Sequence, residues 1–473
     1  MIINRIKYFD YLNERMDTSF YRSRFHFTSK SFTSFHLSEL LWVNPSVKYE
    51  NLSDNDVISF VPMEIVDEQN GKIAEQRTIT VSKTKGFTKF KENDLIWAKI
   101  TPCMQNGKSA IARNLVNGYG CGSTEFYVLR PKTDNVLIEY IHFILRDKRV
   151  LESAKNSFGG SAGQQRVSSS YLKSIKIPLP PKKNQQKIVD LYQHAVEEKQ
   201  TKEQKAETLW ASIDDYLLKE LEIVLPVNIK KERYFEVSIF DLIGERLDPI
   251  SYNVKYKSLQ KMIQNSPISK FRLKELIIQS VAGDWGLDEV EKVNKEYTKC
   301  LVIRSTEFDN KYNLNLDNSR VKYRNIKTNK LNKIDIRAKD LLIEKSGGSP
   351  DQPVGRIAIL TDDILKSNTL CYSNFIHKIR VDSSKIIPEY AYFFLKTMYN
   401  IGFTESMQSQ TNGIRNLIMS EYFRQNILLP NKSKQQQIIS NIQSLQSKAK
   451  QLQEEAREVL EKAKIEIEKM IIG

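Results

Sequence analysis

Two stretches of the sequence, IPLPPKKNQQKIVD at residues 177–190 and ILLPNKSKQQQIIS at residues 427–440, repeat one pattern. Each begins with an apolar segment containing Leu-Pro, continues through lysines to a Gln-Gln pair, and then reaches an Ile-containing apolar pair. Proline interrupts a strand but is tolerated at the start of a helix. The pattern therefore predicts a strand that stops and a helix that begins, and the chain contains this junction twice.

The repetition extends through the rest of the chain in the same order. The paired segments are ERMDTSFY (14–21) with ERLDPISY (245–252), FHLSELL (35–41) with FRLKELI (271–277), NDLIWAK (93–99) with KDLLIEK (339–345), and GKSAIA (107–112) with GRIAIL (355–360). Repeats in a fixed order indicate a tandem duplication. The spacing between partners grows along the chain, which indicates loop insertions in the second copy.

Composition favours a globular protein with a polyanionic partner. The chain has 473 residues, a hydrophobic fraction of 40% and a formal charge of +15, so we expect two or more domains and a preference for negatively charged ligands. No apolar run approaches the roughly 20 residues that span a bilayer. The N-terminal segment MIINRIKYFDYLNERM carries charges where a signal peptide would be apolar. We predict a cytoplasmic protein that does not contact a membrane.

The cysteines and histidines do not have the spacing of a metal site. The four cysteines, Cys103, Cys121, Cys300 and Cys371, contain no CxxC pair, and the five histidines contain no HExxH motif. Neither a disulfide framework nor a metal centre is predicted in this chain.

Each copy has a mixed section followed by a long helical section. Short apolar runs separated by Gly, Asn and Lys predict strands and loops in the mixed sections. Gly and Pro are absent between residues 182 and 225 and between 432 and 472, as a continuous helix requires. We predict an α+β chain made of two tandem globular α/β domains, 1–180 and 226–430, each followed by a long helix, 181–225 and 431–473.

Both helical sections carry apolar residues at alternating three- and four-residue steps, the spacing of a coiled-coil seam. The predicted helix-pairing residues are Ile188, Tyr192, Leu209 and Ile213 in the first section and Ile438, Ile442, Leu445, Leu452 and Val459 in the second. Lys199 and Lys202 interrupt the first seam. The stripes favour pairing of the two helices. The alternative is that each helix docks on its own domain, and the heptads alone do not set the relative direction.

Enzyme signatures are incomplete. Gly107-Lys108-Ser109 resembles the end of a phosphate loop, but Pro102 replaces the leading glycine. The glycines in NGYGCG lack GxGxxG spacing, and we find no amino-methyltransferase tetrad, nuclease pattern or Gly-x-Ser-x-Gly elbow. We predict no catalytic residues in this chain.

Basic runs precede the same predicted strand in both copies, KTKGFTKFK at 83–91 and SRVKYRNIKTNKLNK at 319–333. A lysine run is often only a solvated face, but its presence at the corresponding place in both copies favours phosphate contact. The cations predicted to contact DNA are Lys83, Lys85, Lys89, Lys99, Lys108, Arg320, Lys322, Arg324, Lys345 and Arg356.

Forked and amide side chains cluster later in each copy, in GGSAGQQRVSSS and QSQTNGIRNLIMS. Arginine pairs bidentately with guanine, and glutamine or asparagine with adenine. The predicted base-contacting residues are Gln164, Gln165, Arg166, Gln410, Asn412, Arg415 and Asn416. The alternative is that they are ordinary polar loop residues.

The repeated strand, Leu-Pro, Gln-Gln, Ile junction followed by a heptad helix resembles the specificity subunit of type I restriction-modification systems, over essentially the whole chain. That resemblance implies two target-recognition domains, each followed by a long helix, with the helices antiparallel as a spacer. The sequence departs from the pattern at Pro430-Asn431, where a double proline is expected, and at the two seam lysines.

The resemblance also implies the function. The two unlike domains would read the two halves of an asymmetric bipartite site in double-stranded DNA, and the chain itself would not catalyse. Two methyltransferase subunits using S-adenosylmethionine for adenine-N6 methylation, and restriction subunits using ATP and Mg, would be its partners, so no cofactor is expected here. The alternatives are a basic coiled-coil scaffold or adaptor and a stand-alone modification or restriction enzyme.

Overall fold

The computed structural model describes most of the chain. The described residues are 29–158, 165–226, 236–238, 252–288, 296–309, 312–348, 352–411 and 414–472, with the side chains of 410 and 411 excepted. The first repeat pair, ERMDTSFY with ERLDPISY, lies outside these residues except for Tyr252.

The chain divides into two compact units. One lies within Met1–Glu203 and Glu454–Gly473, and the other within Gln204–Gln453. Each of the two long helices contributes one part to each unit, because the unit boundaries fall inside Lys182–Glu220 and Lys432–Ile472.

The first unit contains two four-stranded sheets and short paired strands. Its strands are β1 Ser34–His36, β2 Leu41–Val43, β3 Val57–Val61, β4 Val66–Asp67, β5 Lys72–Ile73, β6 Thr78–Thr80, β7 Thr88–Lys91, β8 Leu95–Ala98, β9 Ser109–Ile111, β10 Tyr119–Gly122, β11 Phe126–Pro131 and β12 Lys176–Pro178. Its helices are α1 Leu37–Leu40, α2 Ile138–Leu145, α3 Lys148–Asn156, α4 Ser169–Ser174 and the first part of α5 Lys182–Glu220. The sheets have the orders β6-β3-β10-β7 and β2-β11-β8-β9, and β1 pairs with β12.

The second unit is built in a similar way. Its strands are β13 Lys270–Arg272, β14 Ile277–Ala282, β15 Tyr297–Ile303, β16 Lys322–Lys327, β17 Leu341–Glu344, β18 Ser346–Gly347, β19 Ile357–Ile359, β20 Leu370–Tyr372, β21 Ile376–Val381, β22 Gln408–Thr411, β23 Ile414–Leu417 and β24 Asn426–Leu428. Its helices are α6 Val254–Asn265, α7 Thr328–Ile334, α8 Asp362–Ser367, α9 Pro388–Asn400, α10 Met419–Arg424 and the first part of α11 Lys432–Ile472. The sheets have the orders β14-β21-β17-β19, β16-β15-β20 and β18-β23-β22, and β13 pairs with β24.

Corresponding strands form corresponding sheets in the two units. The order β2-β11-β8-β9 matches β14-β21-β17-β19, with antiparallel pairing throughout. The parallel pair β3/β10 matches the parallel pair β15/β20. The predicted duplication and the predicted α+β class are therefore confirmed.

A buried glutamine explains the repeated junction motif. The side-chain oxygen of Gln185 accepts a hydrogen bond from the backbone N–H of Leu137 at 2.9 Å, and its amide nitrogen donates to the carbonyl of Pro180 at 2.8 Å. Gln435 makes the same two contacts, with Ile387 at 2.9 Å and Pro430 at 2.7 Å. Both glutamines are almost fully buried. Gln185 thus ties the start of α5 to the start of α2, and Gln435 ties the start of α11 to the start of α9.

A tyrosine completes each junction. The hydroxyl of Tyr140 on α2 donates to the carbonyl of Pro178 at 2.7 Å, and Tyr390 on α9 donates to Leu428 at 2.5 Å. Both rings are fully buried. Since buried polar groups are destabilising unless they are hydrogen-bonded, strand, helix and long-helix start are fixed together.

An acidic residue at the start of the central strand holds an arginine on its neighbour in both units. Asp94 binds Arg130 through two 2.7 Å contacts, and Asp340 binds Arg380 at 2.7 and 2.9 Å. In the second unit the fully buried Lys378 adds a 3.2 Å contact to Asp340. Burial lowers the pKa of Lys378, an effect that Asp340 opposes.

The long helices pair in antiparallel fashion within each unit. In the second unit, Asn441 of α11 donates to the Tyr216 hydroxyl of α5 at 2.7 Å, and Lys434 of α11 contacts Glu220 of α5. From one contact to the next, the residue number increases along α5 and decreases along α11, so the helices run in opposite directions. In the first unit Lys202 of α5 binds Glu455 of α11 at 2.8 Å. A lysine on the seam thus has a carboxylate partner, which raises its pKa.

The predicted helix-pairing residues divide between the units. Ile188 and Tyr192 pack in the first unit with Ile467 and Ile471 of α11. Those that pack in the second unit are Leu209, Ile213, Ile438, Ile442, Leu445 and Leu452. Val459 is half-buried. Three alanines on the seam, Ala206, Ala449 and Ala456, are also fully buried. In the described part of the chain no helix is both long and apolar enough to cross a membrane.

Candidate nucleic-acid interface

In the first unit, three chain segments cross just after β8. The backbone N–H of Lys99 donates to the carbonyl of Glu125 at 2.9 Å, and the N–H of Val167 donates to the carbonyl of Lys99 at 2.9 Å. Ile100 and Arg166 form an antiparallel bridge between these contacts. We call this arrangement the strand crossing. It fixes the backbone of Arg166 against the end of a buried strand.

The second unit contains the same crossing after β17. The N–H of Lys345 donates to the carbonyl of Phe375 at 2.8 Å, and the N–H of Leu417 donates to the carbonyl of Lys345 at 2.7 Å. Ser346 pairs with Asn416 in the register of β18 and β23. Asn416 therefore stands where Arg166 stands in the first unit, although the sequence alone groups them only loosely.

The crossings share a backbone but not side chains. The equivalent pairs, first unit before second, are Lys99 and Lys345, Ile100 and Ser346, Glu125 and Phe375, Gln165 and Arg415, Arg166 and Asn416, and Val167 and Leu417. Only the lysine is common to both. Beside this lysine the first crossing carries the Arg166–Glu125 ion pair, whereas the second carries the Asn416 amide and the Phe375 ring. The same backbone scaffold thus presents different side-chain groups.

The Arg166 guanidinium is held by a carboxylate. Its Nε and one terminal nitrogen each donate to Glu125 at 2.8 Å. Such a two-point contact fixes the plane of the fork. The Arg166 side chain is still 42% exposed, against 22% for Glu125. Hydrogen bonding to Arg166 lowers the pKa of Glu125, so this carboxylate is ionised at neutral pH.

Asn416 is held by a hydroxyl. The Ser346 Oγ donates to Asn416 Oδ1 at 2.7 Å, which leaves the amide oxygen one further acceptor site. Phe375 replaces the carboxylate and is 49% exposed, and Ile414 beside the crossing is 50% exposed. The second crossing is therefore uncharged at these positions and presents apolar surface.

Arg415 has different surroundings from Asn416. Successive side chains on a strand point to opposite faces. Arg415 and Asn416 are adjacent on β23, so their side chains leave opposite faces of the strand. Burial raises the pKa of Tyr256, and Arg415 opposes that effect. Tyr256 donates to Glu405 at 2.7 Å, and Lys255 contacts the same carboxylate at 3.0 Å. The structure thus separates two residues that the sequence groups together.

The cations of the first unit lie at different depths. Lys83 and Lys85 are exposed. Lys89 lies 4.5 Å from the centre of the Tyr49 ring, and Lys99 lies 5.5 Å from that of Tyr127. Lys108 donates to the carbonyl of Met63 at 3.1 Å. Lys83 and Lys85 are the best placed of these to meet a phosphate.

In the second unit Arg320 and Lys322 are exposed, and Lys345 is half-buried at the crossing. Burial, assisted by Lys345, lowers the pKa of His377 to about 4. That imidazole is therefore neutral at physiological pH.

Two of the predicted DNA-contacting arginines are buried. Arg356 donates to Glu344 through two 2.8 Å contacts and to the carbonyl of Ser305 at 2.9 Å. Arg324 lies 4.5 Å from the Trp285 ring and donates to the carbonyl of that residue at 3.1 Å. Because both arginines are buried and already bind groups of the fold, they are poorly placed to meet a phosphate, and their predicted DNA contacts stay predictions.

The two basic runs do not occupy corresponding places in the sheets, contrary to the expectation from sequence. The first run lies on β7, which pairs with β10. The second lies on β16, which pairs with β15, the strand equivalent to β3. Both runs precede the same strand, but α7 intervenes in the second copy. Sequence order before a strand does not determine which edge of another sheet a segment joins.

Three of the predicted base-contacting side chains fall outside the described part of the chain. Gln164 and Asn412 lie outside the described residues, and for Gln410 only the backbone, opposite Arg415 in the register, is described. Glu125, Ser346 and Phe375 were not predicted as site residues. The only signal that associates these three residues with the crossings is the backbone register of the strands. Within the described ranges, no group of three or more His, Cys, Asp or Glu side chains could hold a metal ion.

Both copies of the duplicated sequence match a known family. The profile of the family described as "Type I restriction modification DNA specificity domain" matches residues 30–209 and 265–462, one match in each copy. These matches cover more than half of the chain, and the chain therefore belongs to this family. The resemblance drawn from the junction motif is confirmed, and nothing supports the scaffold alternative.

Two curated relatives come from Escherichia coli. The chain is 34% identical over 191 residues to the type I restriction enzyme EcoEI specificity subunit, which is 38% of this chain and 32% of that protein. It is 34% identical over 157 residues to the EcoAI specificity subunit, which is 32% of this chain and 26% of that protein. The chain thus matches about a third or less of the length of these relatives.

A solved structure shares the fold over nearly the whole chain. The study is described as "Structural basis underlying complex assembly and conformational transition of the type I R-M system". The match has a TM-score of 0.56 at 14% identity and covers 94% of this chain and 98% of the other. It supports the two-domain architecture with long helices.

Proposed function

We propose that the chain is a non-catalytic DNA-specificity subunit of a type I restriction-modification complex, with one half-site read by each domain. The observation that carries the proposal is the pair of strand crossings. They use the same backbone contacts around Lys99 and Lys345 but hold Arg166 in one unit and Asn416 in the other. Arginine and asparagine are donors that discriminate between bases in the major groove.

Charge supports DNA as the ligand. The formal charge of +15 favours a polyanion. Exposed cations on both units, Lys83 and Lys85 in the first and Arg320 and Lys322 in the second, suit phosphate contacts, which position a protein without reading sequence. Affinity would then come from these cations and selectivity from the crossings.

Two unlike crossings imply an asymmetric bipartite target. The same face of the DNA duplex is presented again after each helical turn. We therefore propose half-sites about one turn apart, separated by base pairs that the protein does not read. The paired helices α5 and α11 would act as the spacer. We keep the division into recognition domains 1–180 and 226–430 and spacer helices 181–225 and 431–473 as part of this proposal.

Membership of the family supports a proposal for the partners and cofactors. We propose double-stranded DNA, two methyltransferase subunits and restriction subunits as partners, in the cytoplasm. S-adenosylmethionine, ATP and Mg would bind to the partner subunits, and the target adenine would have to leave the base stack to be methylated.

The test is footprinting combined with methylation mapping. The chain is purified with its neighbouring methyltransferase and incubated with DNA of random sequence, and methylated sites are sequenced. One bipartite motif with adenine methylation in each half is the expected result, with the footprint covering both halves. Methylation without any sequence preference, or by this chain with no partner present, would contradict the proposal.

A further inference from the structure

We propose that Glu125 orients Arg166 to read a guanine in the half-site of the first domain, and that Asn416, held by Ser346, reads an adenine in the half-site of the second. This inference rests on the proposed function and adds to it the base that each domain selects. Arg166 and Asn416 would contact the DNA, whereas Glu125 and Ser346 would be positioning residues.

The contacts of Arg166 define how it would meet a base. Glu125 binds the Nε side of the guanidinium through two 2.8 Å hydrogen bonds. The guanidinium edge that carries the two terminal nitrogens would therefore donate to the guanine. Two donors on one edge match the O6 and N7 acceptors of that base. Reading in this way keeps the ion pair intact. A fork already held in one plane loses less conformational freedom on binding.

The contacts of Asn416 favour a different base. The hydroxyl of Ser346 donates to Asn416 Oδ1 at 2.7 Å and so fixes the amide on one side. The Nδ2 donor and the second acceptor site of Oδ1 match the N7 acceptor and the N6 donor of adenine. Phe375 occupies the position of Glu125 and is 49% exposed. An apolar ring there suits the methyl group of a thymine, which supports an A·T pair.

The backbone makes the two residues exchangeable. The N–H groups of Val167 and Leu417 make equivalent hydrogen bonds to Lys99 and Lys345, at 2.9 and 2.7 Å. A side chain grafted from one crossing to the other should consequently start from the same backbone position. Base preference should move with the side chain, which a purely structural ion pair would not produce.

The experiment is a graft of the second crossing onto the first. The triple variant Ile100→Ser, Glu125→Phe and Arg166→Asn is purified with the methyltransferase, and binding is measured to duplexes carrying each base at each position of the first half-site. The unmodified chain should prefer guanine at one position by roughly 10-fold or more. The variant should prefer adenine there, and its preference in the second half-site should not change.

Two further variants keep the test decisive. Arg166→Lys keeps the charge but loses the fork, so the guanine preference should fall about 10-fold or more while thermal unfolding shifts little. Glu125→Gln should lower the guanine preference less than Arg166→Lys does, because one acceptor remains. If the graft does not fold, these single variants decide the question.

The outcomes separate this inference from the proposed function. If the unmodified complex selects a bipartite site in which neither the graft nor Arg166→Lys changes any base preference, the inference is wrong and the proposed function stands. The same holds if no position of the first half-site prefers guanine. If the unmodified complex selects no sequence, the proposed function itself fails.

Discussion

The Gln185 side chain accepts a hydrogen bond from the backbone N–H of Leu137 at 2.9 Å, so the first turn of α5 is tied to the start of α2. Leu137 is the residue that precedes α2, and its N–H is one of the groups that a helix start leaves without an internal partner. Gln435 does the same for Ile387 in the second unit. The first glutamine of the repeated Gln-Gln pair is thus a structural clamp.

The clamp predicts a large effect for one glutamine and a small one for its neighbour. Gln185→Leu leaves buried backbone groups without partners and should lower the free energy of unfolding by about 1–3 kcal/mol. Gln186→Leu is the matched control, because Gln186 is exposed and bonds the exposed Asp190 one turn along the same helix. Urea unfolding followed by circular dichroism compares them. Equal effects from the two substitutions would show that the clamp does not act.

The alanine seam predicts a steric limit on the helix pair. Ala456 on α11 is fully buried, whereas the adjacent Arg457 is exposed. Ala456→Leu should destabilise the protein by about 1–3 kcal/mol through overpacking, and Arg457→Leu should change stability by less than about 0.5 kcal/mol. Thermal unfolding measures both. A neutral Ala456→Leu variant would mean that the helices separate easily at this point.

An acidic residue beside the central strand of the second unit predicts a pH dependence. Hydrogen bonds from Arg337 and Arg380 lower the pKa of Asp335 to about 2, below its ordinary value of about 3.9. The ionised form stabilises the fold above about pH 4, and this contribution disappears as the pH falls towards 2. Asp335→Asn should therefore be less stable than the unmodified chain at pH 7, and the difference should shrink below pH 4. A difference that is constant with pH would contradict this assignment.

The exposed cations predict a salt-dependent, sequence-independent effect. Lys83→Ala and Lys85→Ala should each weaken binding to all duplexes alike, and each should reduce the slope of log affinity against log salt by about one if that lysine neutralises one phosphate. Lys173→Ala, an exposed lysine on α4, serves as the control. Fluorescence anisotropy at several salt concentrations gives the slopes. Unchanged slopes in both variants would show that Lys83 and Lys85 do not contact DNA phosphates.

Much of the architecture could be predicted from the sequence because it depends on local chemistry. The Leu-Pro junction marks the start of each long helix, and the helical spacing of apolar residues predicts the seam. The sequence did not distinguish Gln185 from Gln186, because burial depends on where α2 packs. The heptads alone did not give the direction of helix pairing. The family resemblance implied an antiparallel pair, and the contacts of Asn441 with Tyr216 and of Lys434 with Glu220 confirm it.

The candidate site could be predicted only in part. Arg166 and Asn416 belong to the predicted set, but the partners that hold them, Glu125 and Ser346, are distant in sequence and become neighbours only through strand register. The sequence also did not reveal that Arg324 and Arg356 are buried, because the residue type of an arginine does not show where the fold places it. Their carboxylate and carbonyl partners come from other segments of the fold.

The most direct test of the account compares three alanine variants in one methylation-mapping experiment. Arg166→Ala should relax the recognised motif at a position in the first half-site only, and Asn416→Ala in the second only, with a cost of about 1–3 kcal/mol each on the cognate sequence. Arg415→Ala, next to Asn416 but on the opposite face of β23, should relax neither. The account would be contradicted if the first two variants lost methylation uniformly on all sequences, or if both relaxed the same half-site. Its central claim is that Arg166 and Asn416, at equivalent backbone positions, each select a base in a different half-site.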